Sequence, residues 1–182
     1  MMVVKMLEKT SGLSLGMEDE EDEYVVQCEG REIHIKKDRY YARKHMWAKK
    51  ISDRNFRIGI TDYAQKFLKE VALVEISKNV TVGNRVEAGE IFGTVYGRLY
   101  ANLDLMRCEC VAFDLTAPVG GEIAEINGEV MDNPQIINAS PYEKGWIVII
   151  VTDPESDLDD LIAPSKYKKM LERKEKNPFR IV

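Results

Sequence analysis

The chain has 182 residues, a formal net charge of −5, 45% hydrophobic residues and 31% charged residues, a balance that fits one soluble globular domain with extensions. The acidic balance argues against generic nucleic-acid binding, which leaves a basic footprint, and no apolar run approaches the ~18–20 residues of a membrane span. Three cysteines do not make a disulfide framework in a chain of this size, so a reducing, cytoplasmic setting is expected.

In chain order, the opening "MMVVKMLEK" is too short for a signal-peptide core and no small-residue cleavage site follows. Residues 1–38 are read as an N-terminal extension. Its acidic run, 18–23, reads as a solvated lead-in, and residues 24–37 alternate apolar and polar around Glu29-Gly30, which predicts a hairpin. Two further strand-like segments, "MWAKKIS" and "NFRIGIT", lead to "TDYAQKFLKEV". There Thr61 or Asp62 can cap a short helix with Tyr63, Ala64, Phe67 and Leu68 on one face. Strand patterns resume in "VALVEIS", "RVEAGEIFGTVYG", "CECVAFDLTA", "GEIAEING" and "GWIVIIV". From Ser156 to Glu175, Leu158, Leu161, Ile162, Tyr167 and Leu171 recur at helical spacing and predict two short helices packed on the sheet. Residues 176–182 form an unpatterned tail. A weak echo between "VTVGNRVEAGEIFGTV" and "APVGGEIAEINGEV" suggests two similar antiparallel halves. The fold class is therefore mainly β, a flattened barrel or sandwich with short peripheral helices.

Several motifs, in order and at near-family spacing, carry a resemblance. "GITDYAQ" (Gly59 to Gln65), "ALVEI", "VEAGEIFGTV", "TAPVGGEIAEING" and "DNPQIINASPYEKGWIVII" resemble the glycine cleavage system H protein family. "RYYARKHMWAKK" is similar to that family's opening strand, with Met46 standing where an acidic residue is usual. The resemblance covers roughly residues 40–171 and implies an H-protein-like lipoyl-type domain, a barrel-sandwich hybrid, over residues 39–175. It further implies a carrier and not an enzyme, with a lipoyl arm amide-linked to a lysine at a hairpin tip. That arm moves an aminomethyl group and electrons between the other glycine cleavage proteins.

The lysine is missing. Counting forward from Phe92 places it on Leu99, and counting backward from Ala117 places it on Cys110, about eleven residues away. An insertion, about 98–109, therefore occupies the family's tight turn, and no lysine occurs between Lys78 and Lys144. Arg98 and Arg107 are basic, but a guanidinium stays protonated and does not acylate as an amine does. Lipoate is the cofactor the resemblance implies, yet no acceptor is present, so no cofactor is expected.

Cys108 and Cys110 would share one face of a strand with Cα atoms ~7 Å apart, at the limit for an unstrained disulfide. Two small half-buried strand residues is the preferred reading, with a thiol or metal role, or acyl chemistry on sulfur, left as alternatives. Two thiolates alone fall short of the four ligands of a closed zinc site, the rest of the chain offers only Cys28, His34 and His45 as soft ligands, and no metal is assigned. His34 reads as a surface or cross-strand residue. His45 matches a family position that shapes a cleft, and packing is preferred to catalysis there. Leu99, Tyr100, Leu103, Leu105 and Met106 make the insertion too apolar for an idle loop, so it packs back on the sandwich or forms a partner-contact surface. No phosphate loop or dinucleotide fingerprint is found.

These readings lead to a non-lipoylated, H-protein-like module that binds a protein partner or ligand. The alternatives are a supporting or carrier component of glycine cleavage and a thiol or metal carrier.

Overall fold

The computed structural model describes residues 22–99, 109–154 and 158–176. Strands β1 (Glu23–Cys28) and β2 (Arg31–Lys36) form the expected hairpin. Its two turn residues, Glu29 and Gly30, have φ of 53° and 71°, the left-handed pair that a two-residue turn needs to match strand twist.

The main body follows. β3 (Tyr40–Tyr41), β4 (Met46–Lys50) and β5 (Asn55–Ile60) lead into helix α1 (Asp62–Leu68). Then come β6 (Glu70–Ile76), β7 (Arg85–Val86), β8 (Ile91–Leu99), β9 (Glu109–Thr116) and β10 (Gly121–Ile126). Two short helices, α2 (Gly128–Asp132) and α3 (Ile136–Ala139), precede β11 (Trp146–Val151) and the final helix α4 (Pro164–Lys176). A six-stranded sheet in the order β3-β4-β5-β11-β10-β7 and a three-stranded sheet β6-β8-β9 enclose the principal core. Every pairing is antiparallel.

Strand alternation distributes side chains between two cores. Along β4, Met46 and Ala48 enter the sandwich, while Trp47 between them enters a second cluster. Phe56, Ile58 and Ile60 of β5 fill the sandwich with Val74, Phe92, Val95, Leu115, Ile123 and Ile150. The second cluster joins the β1–β2 hairpin to the body through Cys28, Ile33 and Ile35, packed with Tyr41, Tyr63, Tyr142, Tyr167 and Leu171. Gly59 lies opposite Trp47 in the β4–β5 ladder, and a Cβ there would come within 2.7 Å of the Trp47 ring. The glycine of "GITDYAQ" is thus required by the indole above it.

Arg39 is buried between the Trp47 and Tyr142 rings, its guanidinium carbon 4.8 and 4.9 Å from their centroids. Its Nη1 donates to the Tyr142 carbonyl at 2.6 Å and its Nη2 pairs with Glu143 at 2.9 Å. The planar, five-donor head suits a stacked and hydrogen-bonded niche that a lysine would not fill.

Three expectations are corrected. Among the described residues the tail holds one helix, α4, and not two: Ile162 instead forms a bridge with Tyr41, exchanging backbone hydrogen bonds of 2.8 and 3.0 Å. Pro164 opens the helix just beyond, where its missing N–H costs nothing. Phe67 is 44% exposed, and α1 buries Asp62 and Gln65 instead. Those polar residues can be inside because the Asp62 carboxylate accepts from the His34 N–H at 2.9 Å, Gln65 Nε2 at 2.6 Å and Lys66 Nζ at 2.8 Å. The "RVEAGEIFGTVYG" segment is two strands, β7 and β8, separated by a turn in which Gly89 has φ of 86°.

Candidate functional site

The β8–β9 hairpin is the place where the resemblance requires a reactive amine. Its ladder runs from Ile91↔Thr116 to Arg98↔Cys110 and Leu99↔Glu109. The two positions obtained by counting from either side, Leu99 and Cys110, therefore sit at the same level on opposite arms, one step out of register. This accounts for the conflict between the counts: the two anchors reach the same level of the ladder from opposite arms, and the extra residues of the sequence fall between them. Arg98 on the inner arm pairs with Glu70 of β6 at 3.8 Å. Cys108, Tyr100, Leu103, Leu105 and Met106 lie outside the described residues. An amide-linked lipoyl group needs a primary amine, and no residue between Lys78 and Lys144 supplies one. The chain's own residues do not fit that group.

The far end of the described β8–β9 ladder is locked to α1. Gly97 packs so closely that a Cβ would come within 2.2 Å of the Leu68 carbonyl oxygen. The following residue, Lys69, closes the helix at φ of 62°. Asn138 holds this corner: its Oδ1 accepts from the Val71 N–H at 2.8 Å, and its Nδ2 donates to the Lys69 carbonyl at 2.7 Å and to Gln65 Oε1 at 2.8 Å. Sequence reasoning did not single out Asn138. Its signal was the "INAS" segment within an already noted motif.

Beside the hairpin lies a cleft of about 180 Å³ lined by Ala42, Arg43, Lys44, Gly89, Thr116, Ala117, Pro118 and Asp160. The β3–β4 turn forms one wall, closed by Ala42 N–H to Met46 carbonyl at 2.8 Å and His45 N–H to Ala42 carbonyl at 3.0 Å. The other wall is the end of β9, held by Gly89 N–H to Ala117 carbonyl and Ala117 N–H to Glu90 carbonyl, both 2.8 Å. Arg43 and Lys44 are exposed. Thr116 is buried, and its Oγ1 has no hydrogen-bond partner. Met46, at the position where an acidic side chain is usual, is fully buried in the sandwich core.

His45 anchors the turn from behind. It has φ of 60°, uncommon for a residue with a Cβ. Its Nδ1 lies 2.8 Å from the Tyr167 hydroxyl and its ring packs 4.3 Å from the Tyr63 ring centroid. Burial, with Lys174 adding to it, pushes the imidazole down to about 3. The ring is neutral at pH 7 and acts as a packed hydrogen-bonding strut, in line with the packing reading. His34 lies in β2 opposite Val25, its Nδ1 2.8 Å from Glu23 Oε1 on the partner strand, as a cross-strand residue should. Cys28 is buried beneath α4 and its thiol is pushed up to about 11, chiefly by desolvation. It is an inert packing residue. Among the described residues no group of three or more His, Cys, Asp or Glu side chains could hold a metal ion, and no helix is long and apolar enough to cross a membrane.

Comparison with known proteins matches residues 39–174 to the family model described as Glycine cleavage H-protein. A glycine cleavage system H protein of Carboxydothermus hydrogenoformans is 39% identical over 139 residues, 76% of this chain and 95% of that one. One from Halalkalibacterium halodurans is 37% identical over 131 residues, 72% of this chain and 91% of that one. Among solved structures, the glycine cleavage system H protein of Mycobacterium marinum superposes with a TM-score of 0.59 at 28% identity, covering 75% of this chain and 98% of that chain. The β1–β2 hairpin lies outside the family match. The mainly β architecture is the lipoyl-type barrel-sandwich, and the chain belongs to the glycine cleavage H-protein family.

Proposed function

We propose that this chain is a family member that carries no lipoyl group and acts as a binding module for a protein partner or small ligand, without catalysis of its own. The observation that carries this reading is the lack of any lysine between Lys78 and Lys144, across both arms of the hairpin and everything between them. The family's known task depends on one primary amine at one place, and fold alone does not transmit a function whose reactive group is gone. A second reading, a supporting component of the glycine cleavage machinery, is favoured by the match over residues 39–174 and by near end-to-end coverage of the relatives. Where the partner is a protein, glycine cleavage components are the first to try.

The test is intact mass of the protein co-expressed with a lipoate ligase and lipoate. The bare 20.8 kDa polypeptide is expected. A lipoyl adduct mapped between Phe92 and Ala117 would overturn the proposal. Metal analysis of the same sample examines the thiol or metal role of Cys108 and Cys110: stoichiometric metal lost on replacing both would replace the binding-module reading with a metal-carrier one.

A further inference from the structure

The cleft between the β3–β4 turn and the end of β9 has the size and chemistry of a small-ligand site. At about 180 Å³ it far exceeds the roughly 10–15 Å³ that one water needs, and falls below the roughly 300–1,000 Å³ typical of drug-sized pockets. Its lining is largely apolar, with Ala42, Ala117 and Pro118 providing aliphatic surface. Three charged residues line it: Arg43, Lys44 and Asp160. Among the described residues, neither Arg43 nor Lys44 takes part in an ion pair, so the rim carries a surplus of uncommitted positive charge. Thr116, at the end of β9, completes the wall beside Ala117 and Pro118.

The turn presenting the two cations is held in one shape. His45 at φ of 60° is fixed by Tyr167 and Tyr63, so the backbone of residues 43–44 is set before a ligand arrives. An outlying backbone conformation that its surroundings enforce is a recurrent mark of functional positions. A dianion such as phosphate is disfavoured by Asp160 and by the commitment of the Gly89 and Ala117 N–H groups to backbone carbonyls. A cation is disfavoured by Arg43 and Lys44 together.

We propose that this cleft binds a small aliphatic monocarboxylate, its anionic head held by Arg43 and Lys44 and its hydrocarbon chain laid on Ala42, Ala117 and Pro118. The proposal rests on the reading of the chain as a binding module and names the ligand class of its cleft. Sodium butyrate is the probe, titrated into the full-length 15N-labelled protein and followed by amide chemical shifts, with butylammonium chloride and sodium chloride at matched ionic strength as controls. Saturable shifts centred on Lys44, Gly89, Thr116 and Ala117 are expected with butyrate in the millimolar range, and not with either control. The double variant Arg43→Glu/Lys44→Glu, at exposed positions outside any ion pair, should keep a dispersed spectrum and lose binding by roughly tenfold or more, about 1.4 kcal/mol for each factor of ten. Equal response to butylammonium, no saturable response to butyrate, or unchanged affinity in the folded double variant would each overturn the proposal. A bare mass with no butyrate binding would leave the non-lipoylated reading standing and remove only this ligand.

Discussion

At the scale of single residues, His45 shows how one side chain links backbone, packing and pH. A neutral imidazole is built into the native state because the ring has lost its water, and the folded value of about 3 lies below the ordinary value of 6.5. The unfolded chain therefore binds the additional proton, so the stabilising contribution is fully present above about pH 6.5 and is lost as pH falls toward 3. Carboxylates with lowered values, Glu23 and Asp38, act in the same direction, but only as pH falls below their ordinary values of 4.5 and 3.8. Between pH 6.5 and 4.5 the slope attributable to His45 approaches ~1.4 kcal/mol per unit at most. His45→Asn keeps a residue that tolerates positive φ and removes the titration. Urea midpoints at pH 7.5, 6 and 5 should fall steeply in the parent protein and be nearly flat in the variant over that range. Parallel slopes would show that another group governs acid stability.

At the scale of elements, the β1–β2 hairpin is part of the body and not a lead-in to it. Cys28, Ile33 and Ile35 have no exposed surface, and they close the cluster containing Tyr63, Tyr167 and Leu171. The hairpin backbone also meets the body directly: the His34 carbonyl accepts from the Tyr142 hydroxyl at 2.6 Å and the Glu32 carbonyl accepts from Lys66 Nζ at 2.6 Å. Shortening the chain to residues 39–182 should therefore cost several kcal/mol. Burial of each large aliphatic side chain is worth ~1.5–3 kcal/mol, offset in part by backbone entropy no longer lost. A denaturation midpoint unchanged by the truncation would mean that the second cluster contributes nothing net. Much of this was legible in the sequence. The alternation in "REIHIKK" marked a strand because Ile33 and Ile35 on one face are buried, and Thr61 marked the start of α1 because its side chain accepts the Ala64 N–H at 3.3 Å. The short helices α2 and α3 were not visible. Five and four residues are too few to display a helical period, and tertiary packing of Val130 and Ile137 supports them instead. The cleft was illegible for a related reason. Its walls come from the 42–44, 89, 116–118 and 160 regions, and only the folded chain brings Arg43 and Lys44 to Thr116.

At the scale of the whole molecule, a carrier's reactive group must be both present and reachable, and here the two requirements can be separated. The amine is missing, and the hairpin that should present it is longer. Cys110 lies opposite Arg98 on the returning arm, with residues 99–109 forming the extra length between the two anchor counts. A lysine introduced at Cys110 alone would sit within the ladder, opposite Arg98, with the additional residues still joining the two arms. Acyl transfer needs the nucleophile at near-attack distance in a ligase active site, and misplacement by even ~1 Å is costly. Cys110→Lys should thus remain largely unmodified by a lipoate ligase. The same substitution combined with removal of residues 99–109 places the lysine seven positions after Phe92, where forward counting expects it, and should be lipoylated. The locked contact of Gly97 against Leu68 and the corner held by Asn138 lie outside the excised segment, so the body should survive the change. Intact mass reports both variants, and circular dichroism confirms that each is folded. Efficient lipoylation of the single substitution would show that the inserted residues do not obstruct the site, leaving loss of the amine as the sole barrier to carrier function. Failure of the folded double change would place the barrier elsewhere, in the face that the ligase must recognise.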